Sequence, residues 1–414
     1  MLRRRRSGHP LLHTRDSPRR LRTAEISERR AGTSTAVNPR AIRYGIDHPT
    51  LAYYRALVAE HGSPLLVISR QRLIAQYQTL QQYLPHVAFY YAIKAFPNAD
   101  VIRILAEQGC HFDVASEGEI ALLKAHRISG RHTIHTHPIK KDTDIRAALR
   151  GGSTTFVVDN LDELKKLIPY RQRVGVLLRV SFRSDSAAVD LSRKFGCNPA
   201  DVPAIVREAQ ALDIHIRGLS FHVGSQSLDS ATHVAAIHEC ARLIADCNRD
   251  SDNPMNVLDI GGGFPLDYAD AQLDLDAYFA PIQTALTALP DDLHVIAEPG
   301  RFLVAPAVTG IATITGKARR GDYQWYYLDD WIYGSYSGQL FDHVHYPLQI
   351  TRDASNLEAA ILSGPTCDSI DIIAEDVLLP TLEEGDLVIG HMMGAYTAAT
   401  ATRFNSLSGA KILL

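Results

Sequence analysis

Lys94 closes the run Tyr91-Ala92-Ile93-Lys94. An amine at the end of so apolar a stretch is a candidate nucleophile, because desolvation is expected to lower its pKa toward the range in which a lysine condenses with a carbonyl. A lysine that merely ends a strand in solvent would read the same way, so Lys94 alone decides nothing. Asp259-Ile260-Gly261-Gly262-Gly263 adds three successive residues without Cβ. Backbone N–H groups in such a run can approach a phosphate closely, and the competing reading is a tight turn. Glu298, in Glu298-Pro299-Gly300-Arg301, narrows the chemistry. A carboxylate held against a pyridine nitrogen keeps that nitrogen protonated, makes the ring a strong electron sink and favours carbanion chemistry. His222, in Ser220-Phe221-His222-Val223-Gly224-Ser225, is suited to lie over such a ring and Ser225 to donate to its phosphate. Each is equally compatible with a place in the core.

The elements that must position these residues alternate. Short β-branched or aromatic runs at Val87 to Ile93, His111 to Ala115, His132 to Thr136, Thr154 to Val158, Val174 to Val180, Ile216 to Val223, Asn256 to Ile260 and His294 to Ala297 are separated by amphipathic stretches. One such stretch is Asp100 to Gln108 after Asn98; another follows Ser116, with Glu119 completing a capping box. Eight successive βα units without a Rossmann fingerprint predict an α/β fold of the closed parallel-barrel kind rather than an open sheet. In such a barrel the ends of the strands converge on one mouth. Lys94, Asp113, His222, the three glycines and Glu298 all fall at strand ends. Beyond residue 307 strand-like segments dominate (Ala307 to Thr315, Tyr323 to Leu328, Glu358 to Leu362, Asp386 to Ile389), and Pro64 to Ser69 is expected to add a strand to them. The expected division is residues 1–40 as a disordered leader, 70–307 as the barrel, and 41–69 with 308–414 as a β domain.

Composition bounds the alternatives. With 414 residues, 46% of them hydrophobic and 21% charged, the chain suits one large domain and a smaller one. No apolar run is long enough for a bilayer, and none follows the N-terminal arginines as a secretory signal requires, so a soluble intracellular protein is expected. Residues 1–40 hold eleven arginines against Asp16, Glu25 and Glu28, which leaves the rest acidic and argues against nucleic acid as a partner. Five scattered cysteines without a C-x-x-C pair suggest neither a disulfide framework nor zinc, and fit a reducing compartment. His135 and His137 share a face of the expected third strand, next to His132, but no carboxylate or cysteine accompanies them and a metal is not expected.

Together these residues resemble the ornithine decarboxylase family of pyridoxal-phosphate enzymes, which also includes lysine and diaminopimelate decarboxylases. The likeness runs from about residue 64 to 408 through seven ordered motifs. They are Tyr91 to Lys94, Phe112-Asp113-Val114-Ala115-Ser116, Phe221 to Ser225, Asp259 to Pro265, Glu298 to Arg301, Gly364-Pro365-Thr366-Cys367-Asp368 and Met393-Gly394-Ala395-Tyr396-Thr397. The resemblance implies a pyridoxal 5'-phosphate-binding (β/α)8 TIM barrel with a C-terminal β-sandwich or β-barrel domain. It also implies a cytoplasmic homodimer that shares its active sites and has neither membrane nor nucleic acid as a partner. Lys94 would carry the cofactor as an imine, His222 would stack on its ring and Glu298 would pair with its nitrogen, with Asp113 and Arg179 in support. Ser225, Gly261, Gly262, Gly263, Gly300, Arg301 and Tyr396 would hold the phosphate. Cys367, Asp368, Tyr333 and Phe404 would come from the second subunit, Cys367 as the proton donor to Cα. Asp342, beside Phe341, and Asp368 would grip the distal ammonium of ornithine or lysine, a choice the sequence leaves open. Three other readings are a decarboxylase of another amino acid such as diaminopimelate or arginine, the former disfavoured by Asp368 where its enzymes tend to have Glu; a racemase, which Glu298 disfavours because racemases of this architecture usually place arginine there; and a catalytically silent relative, which the complete residue set disfavours.

Overall fold

The computed structural model describes residues 42–182, 187–189, 194–249, 251–268 and 273–414; the arginine-rich leader lies outside them. Eight parallel strands close into a barrel in chain order: Ala88–Ala92, His111–Val114, Thr133–His135, Thr155–Val158, Gly175–Val180, Ile216–Phe221, Val257–Asp259 and His294–Ala297. The eighth pairs back onto the first through Ile296 with Ala88 and Ala297 with Phe89. Every one of the eight expected runs contains one of these strands. They read as near-continuous apolar runs because both faces are buried, one inside the barrel and one beneath the helices.

Inside the barrel Ile134, Val157, Leu177, Val257 and Ile296 form one apolar layer with Tyr90. Side chains alternate along a strand, so the residues two positions further on share that inward face. Those residues are Thr136, Asp159, Arg179, Asp259 and Glu298. A single period-two pattern thus sets a polar ring above an apolar plug.

Local capping follows the sequence with one shift. Asn98 Oδ1 accepts from the N–H groups of Asp100 and Val101 at the start of helix Ala99–Glu107. Ser116 Oγ accepts from the N–H of Glu119 as a capping box requires, but the Glu119 carboxylate reaches the N–H of Ala115 at 2.6 Å, one residue before the expected cap position. The last residue of the second strand approach is thereby tied to the helix that follows.

A second, nine-stranded sheet contains Ile42–Tyr44, Leu348–Ile350, Leu387–Gly390, Val308–Arg320, Tyr323–Leu328, Glu358–Ser363 and Ile372–Leu379 in that order. The expected early strand forms at Leu65–Ile68, pairing antiparallel with Val308 to Ile311 and parallel with Lys411–Leu413. Val308–Arg320 runs five residues past its expected end because its solvent side turns to lysine and arginine, which hides the strand from an apolar count. Ile372–Leu379 was not anticipated at all; Glu375 and Asp376 interrupt its apolar run, Asp376 lies at φ 54°, and the pairing with Glu358–Ser363 shifts register. No helix among the described residues is long and apolar enough to cross a membrane.

Candidate active site

The first barrel strand leads directly into the turn Ile93–Ala95, which lifts Lys94 into the mouth. Its Nζ lies 3.4 Å from Oδ2 of Asp113 on the adjacent strand. Asp113 is buried, and its other oxygen accepts the hydroxyl of Thr136. The expected depression of the lysine pKa does not occur. The Asp113 carboxylate holds the ammonium above its ordinary value; burial pulls down but loses, while Tyr396 and Glu298 add to the rise and Arg179 opposes it. Sequence neighbours supply the apolar walls, but the charge that decides the outcome comes from the next strand.

Glu298 and Asp259 end the eighth and seventh strands side by side. Burial, then each other's proximity and that of Asp113, pushes Glu298 well above the carboxylate range; burial raises Asp259 as well. Asp259 takes the Gly261 N–H on Oδ1 at 2.9 Å, and its Oδ2 is buried without an amide or hydroxyl donor. Two buried carboxyls on neighbouring strand ends disfavour a second negative charge between them, which adds to the rise that burial produces. His222 is neutral: burial, then Arg179, Lys94 and His233, lowers its pKa far below the usual imidazole range. Its Nδ1 accepts the Gly224 N–H at 3.0 Å, which leaves the proton on Nε2.

The glycine run is both a turn and a close approach. A Cβ at Gly261 would sit 2.2 Å from the Phe221 carbonyl oxygen, at Gly262 2.4 Å from that of Glu298, and at Gly263 2.0 Å from that of Gly224. The loops after the sixth, seventh and eighth strands meet there backbone to backbone. Beside them Arg301, 6% exposed, donates from Nε and Nη2 to Ser225 Oγ, each at 3.2 Å, from Nη1 to Tyr268 OH at 3.4 Å and from Nη2 to Asp342 at 2.5 Å. Its guanidinium lies 4.9 Å from the centre of the Tyr396 ring, whose residue adopts φ 55° and donates its N–H to Ala95. A Cβ on Gly300 would press on Ala95 and Ala92 at 3.2 and 3.3 Å. Arg179, inward on the fifth strand, faces Phe195 at 5.5 Å.

Lys94, Asp113, Arg179, His222, Ser225, the glycines, Glu298, Arg301, Asp342 and Tyr396 are thus gathered by the strand ends and the loops that pack on them. Their donor set suits a phosphorylated pyridine aldehyde: an amine, a buried carboxyl pair, a neutral imidazole, and an arginine with glycine amides around a Cβ-free cradle. The unpartnered buried atoms Ser220 Oγ and Asp259 Oδ2 lie in the same ring.

Cys367, Asp368, Tyr333 and Phe404 form a different cluster. Tyr333 donates to Asp368 at 2.7 Å and its ring lies 5.0 Å from Phe404; Cys367 is exposed, with its Sγ 3.5 Å from Asn405 Nδ2. The Tyr333 hydroxyl draws Asp368 below the usual carboxylate range and is itself pushed up to about 12. Among the described residues no hydrogen bond, ion pair or ring contact joins these four to the barrel mouth. Phe341, beside Asp342, is 56% exposed.

The histidines fall differently from expectation. The third strand ends at His135, so His137 lies beyond it in the loop. His135 is buried against Phe156 at 5.7 Å, His137 meets Phe195 edge-on and accepts the Ile139 N–H, and His132 pairs with His111. Residues the sequence reading did not single out are Asp259, Thr136 and Tyr268. The first two were detectable as the inward positions of their strands; Tyr268 carries no comparable signal.

Comparison with known proteins agrees with this geometry. The family profile described as pyridoxal-dependent decarboxylase, pyridoxal binding domain, matches residues 70–305. The lysine/ornithine decarboxylase of Selenomonas ruminantium is 36% identical over 352 residues, 85% of this chain and 89% of that protein. The crystal structure of the lysine/ornithine decarboxylase of Vibrio vulnificus complexed with cadaverine superposes with a TM-score of 0.85 at 45% identity, over 89% of this chain and 99% of that one. The arginine decarboxylase of Paramecium bursaria Chlorella virus, bound to agmatine, follows at 0.82 and 27%, over 87% and 99%.

Proposed function

The chain belongs to the pyridoxal-dependent amino-acid decarboxylases of the ornithine and lysine type, and from that premise we propose that it converts L-ornithine or L-lysine to putrescine or cadaverine and carbon dioxide, as a homodimer with shared sites. It is a carboxy-lyase that uses pyridoxal 5'-phosphate. The observation that carries the assignment is the meeting at one mouth, on four consecutive strands, of Asp259, Glu298, Lys94 and Asp113, with the lysine against Asp113 and the carboxyls of Glu298 and Asp259 raised by burial.

When bound, pyridoxal phosphate supplies the electron sink for the bond that breaks at Cα. This chain's residues do the rest. Lys94 would hold the cofactor's aldehyde carbon, with Asp113 placed to take up the proton that the amine must shed. Glu298, backed by Asp259, would keep a proton at the ring nitrogen, while neutral His222 would cover the ring without adding charge. Arg179 supports the ring's polar edge. Ser225, Gly261, Gly262, Gly263, Gly300, Arg301 and Tyr396 hold the phosphate. Asp342, paired with Arg301 here, would turn to the distal ammonium together with Asp368 of the second subunit. Tyr333, Phe341 and Phe404 wall the substrate chain. Cys367 delivers the proton to Cα.

A dimer is supported by the exposed apolar residues Phe341, Ile370 and Phe404, which flank Asp342, Cys367 and Asp368, and by Ile139 and Leu228 on the loops after the third and sixth strands. Diamine formation places the enzyme at the entry to polyamine synthesis, in the cytoplasm, where its free cysteines persist. Release of carbon dioxide from ornithine, lysine, arginine and diaminopimelate, each offered separately to the holoenzyme, tests the reading. Turnover of the first two is expected. No turnover of either would overturn it.

A further inference from the structure

The opposite end of the barrel carries chemistry that the decarboxylation leaves unused. Counting two positions back from the apolar layer gives His132, Thr155, Gly175 and His294, inward residues at the N-terminal strand ends. Below the layer lies a cavity of about 320 Å3 whose polar lining is His86, Tyr90, Thr155, Arg217 and His294 and whose roof is the layer itself. That volume is at the small end of the range for small-molecule sites, roughly 300 to 1,000 Å3.

Arg217 is placed there by two sequence features. It is the extra residue where the register of the fifth and sixth strands shifts, between Val176 with Ile216 and Leu177 with Gly218. Its Cδ also lies 2.0 Å from where a Cβ on Gly175 would stand, so the glycine is what lets the side chain cross the barrel end. Nη1 then donates to Thr155 Oγ1 at 3.2 Å. Among the described residues no carboxylate pairs with Arg217, and the cavity lining contains none. In a chain with more acidic than basic residues, a half-buried arginine left facing hydroxyls, imidazoles and aliphatic side chains lacks its anion.

We propose that this cavity is a second binding site, one that takes a small organic carboxylate. The guanidinium fork and the Thr155 hydroxyl receive the carboxylate, with the imidazoles of His86 and His294 at its edge. The apolar layer accepts a short hydrocarbon body. The site is separate from the mouth, with one layer of side chains between them, and it does not depend on which amino acid is decarboxylated.

Benzoate is the probe, followed by calorimetry and by saturation-transfer NMR on the holoenzyme. One molecule per chain is expected to bind. Arg217→Met keeps an unbranched stem over Gly175 and should weaken binding about tenfold or more, the loss of a charge-assisted pair. Ala88→Leu fills the cavity while keeping Arg217 and should weaken it similarly, which decides the matter if the arginine variant does not fold. Ser225→Ala, at the mouth, should bind benzoate as wild type does. Absence of saturable binding, undiminished binding in Ala88→Leu, or loss in Ser225→Ala would overturn the proposal. So would sulfate binding that depends on Arg217 while benzoate fails to bind, which describes a bare anion site.

Discussion

The barrel mouth and the Tyr333, Cys367, Asp368 and Phe404 cluster are assigned to one reaction, yet they are built in opposite ways. At the mouth each charged group is fixed by a neighbour from a different loop: Asp113 by Thr136 and Lys94, Arg301 by Ser225, Tyr268 and Asp342, Glu298 by Asp259. Folding of one chain completes it. The cluster instead leaves its thiol exposed, with Asn405 as its hydrogen-bond partner among the described residues and with Phe404 and the nearby Ile370 turned to solvent. A buried polar site tolerates isolation, whereas in the proposed homodimer the exposed cluster is the half whose walls the second subunit supplies.

The largest expected effect separates the two halves. Lys94→Ala and Cys367→Ala should each cut formation of the normal product about a thousandfold or more. Mixed and allowed to exchange subunits, the two inactive variants should recover roughly a quarter of wild-type activity, because half of the dimers are mixed and each of those carries one intact site. Failure to recover any activity would mean that the halves do not come together across subunits.

A smaller effect probes the mouth from within. Glu298→Gln keeps the shape beside Asp259 but cannot hold the ring nitrogen protonated, so kcat should fall about a hundredfold with the cofactor still bound. Asp259→Asn should leave kcat intermediate and move the acidic limb of the pH profile, a change in shape that a purely structural role would not produce. Equal losses with an unaltered profile would separate Asp259 from its partner.

The smallest effect is on stability, at a buried polar group of the barrel outside both halves. Among the described residues neither ring nitrogen of His135 has a hydrogen-bond partner, and burial lowers its pKa to about 4. Between pH 6.5 and 4 the unfolded chain takes up a proton there that the native chain refuses. Native stability therefore falls as pH drops through that window, by up to about 3 kcal/mol from this residue. His135→Phe, which suits the ring already stacked on it, should raise stability by about 1 to 3 kcal/mol at neutral pH and flatten the acid slope, as denaturant titrations at pH 7 and pH 5 would reveal.

How much of this was legible in the sequence follows from which contacts are local. The barrel strands were readable because burial on both faces leaves dense apolar runs between glycines and polar turns, and their ends located the mouth. The Asn98 cap and the early strand at Leu65–Ile68 were likewise local patterns. The state of Lys94 was not, since its field comes from Asp113 on another strand, and the Glu119 bond landed one residue off because the helix entry angle depends on packing. Ile372–Leu379 escaped notice for a related reason: its charged residues satisfy solvent on an edge, and only its partner strand makes it β. Asp259 was in view as part of a motif, but its nearness to Glu298 needs two strand ends in three dimensions.

The pairing of Leu65–Ile68 with Lys411–Leu413 also bears on how the protein is made. A ribosome delivers every barrel strand, and Val308–Arg320 to zip onto Leu65–Ile68, well before residue 411 emerges. The barrel can therefore close on the nascent chain while one edge of Leu65–Ile68 still waits for its final partner, and newly made molecules pass through an interval in which that edge is open to wrong neighbours.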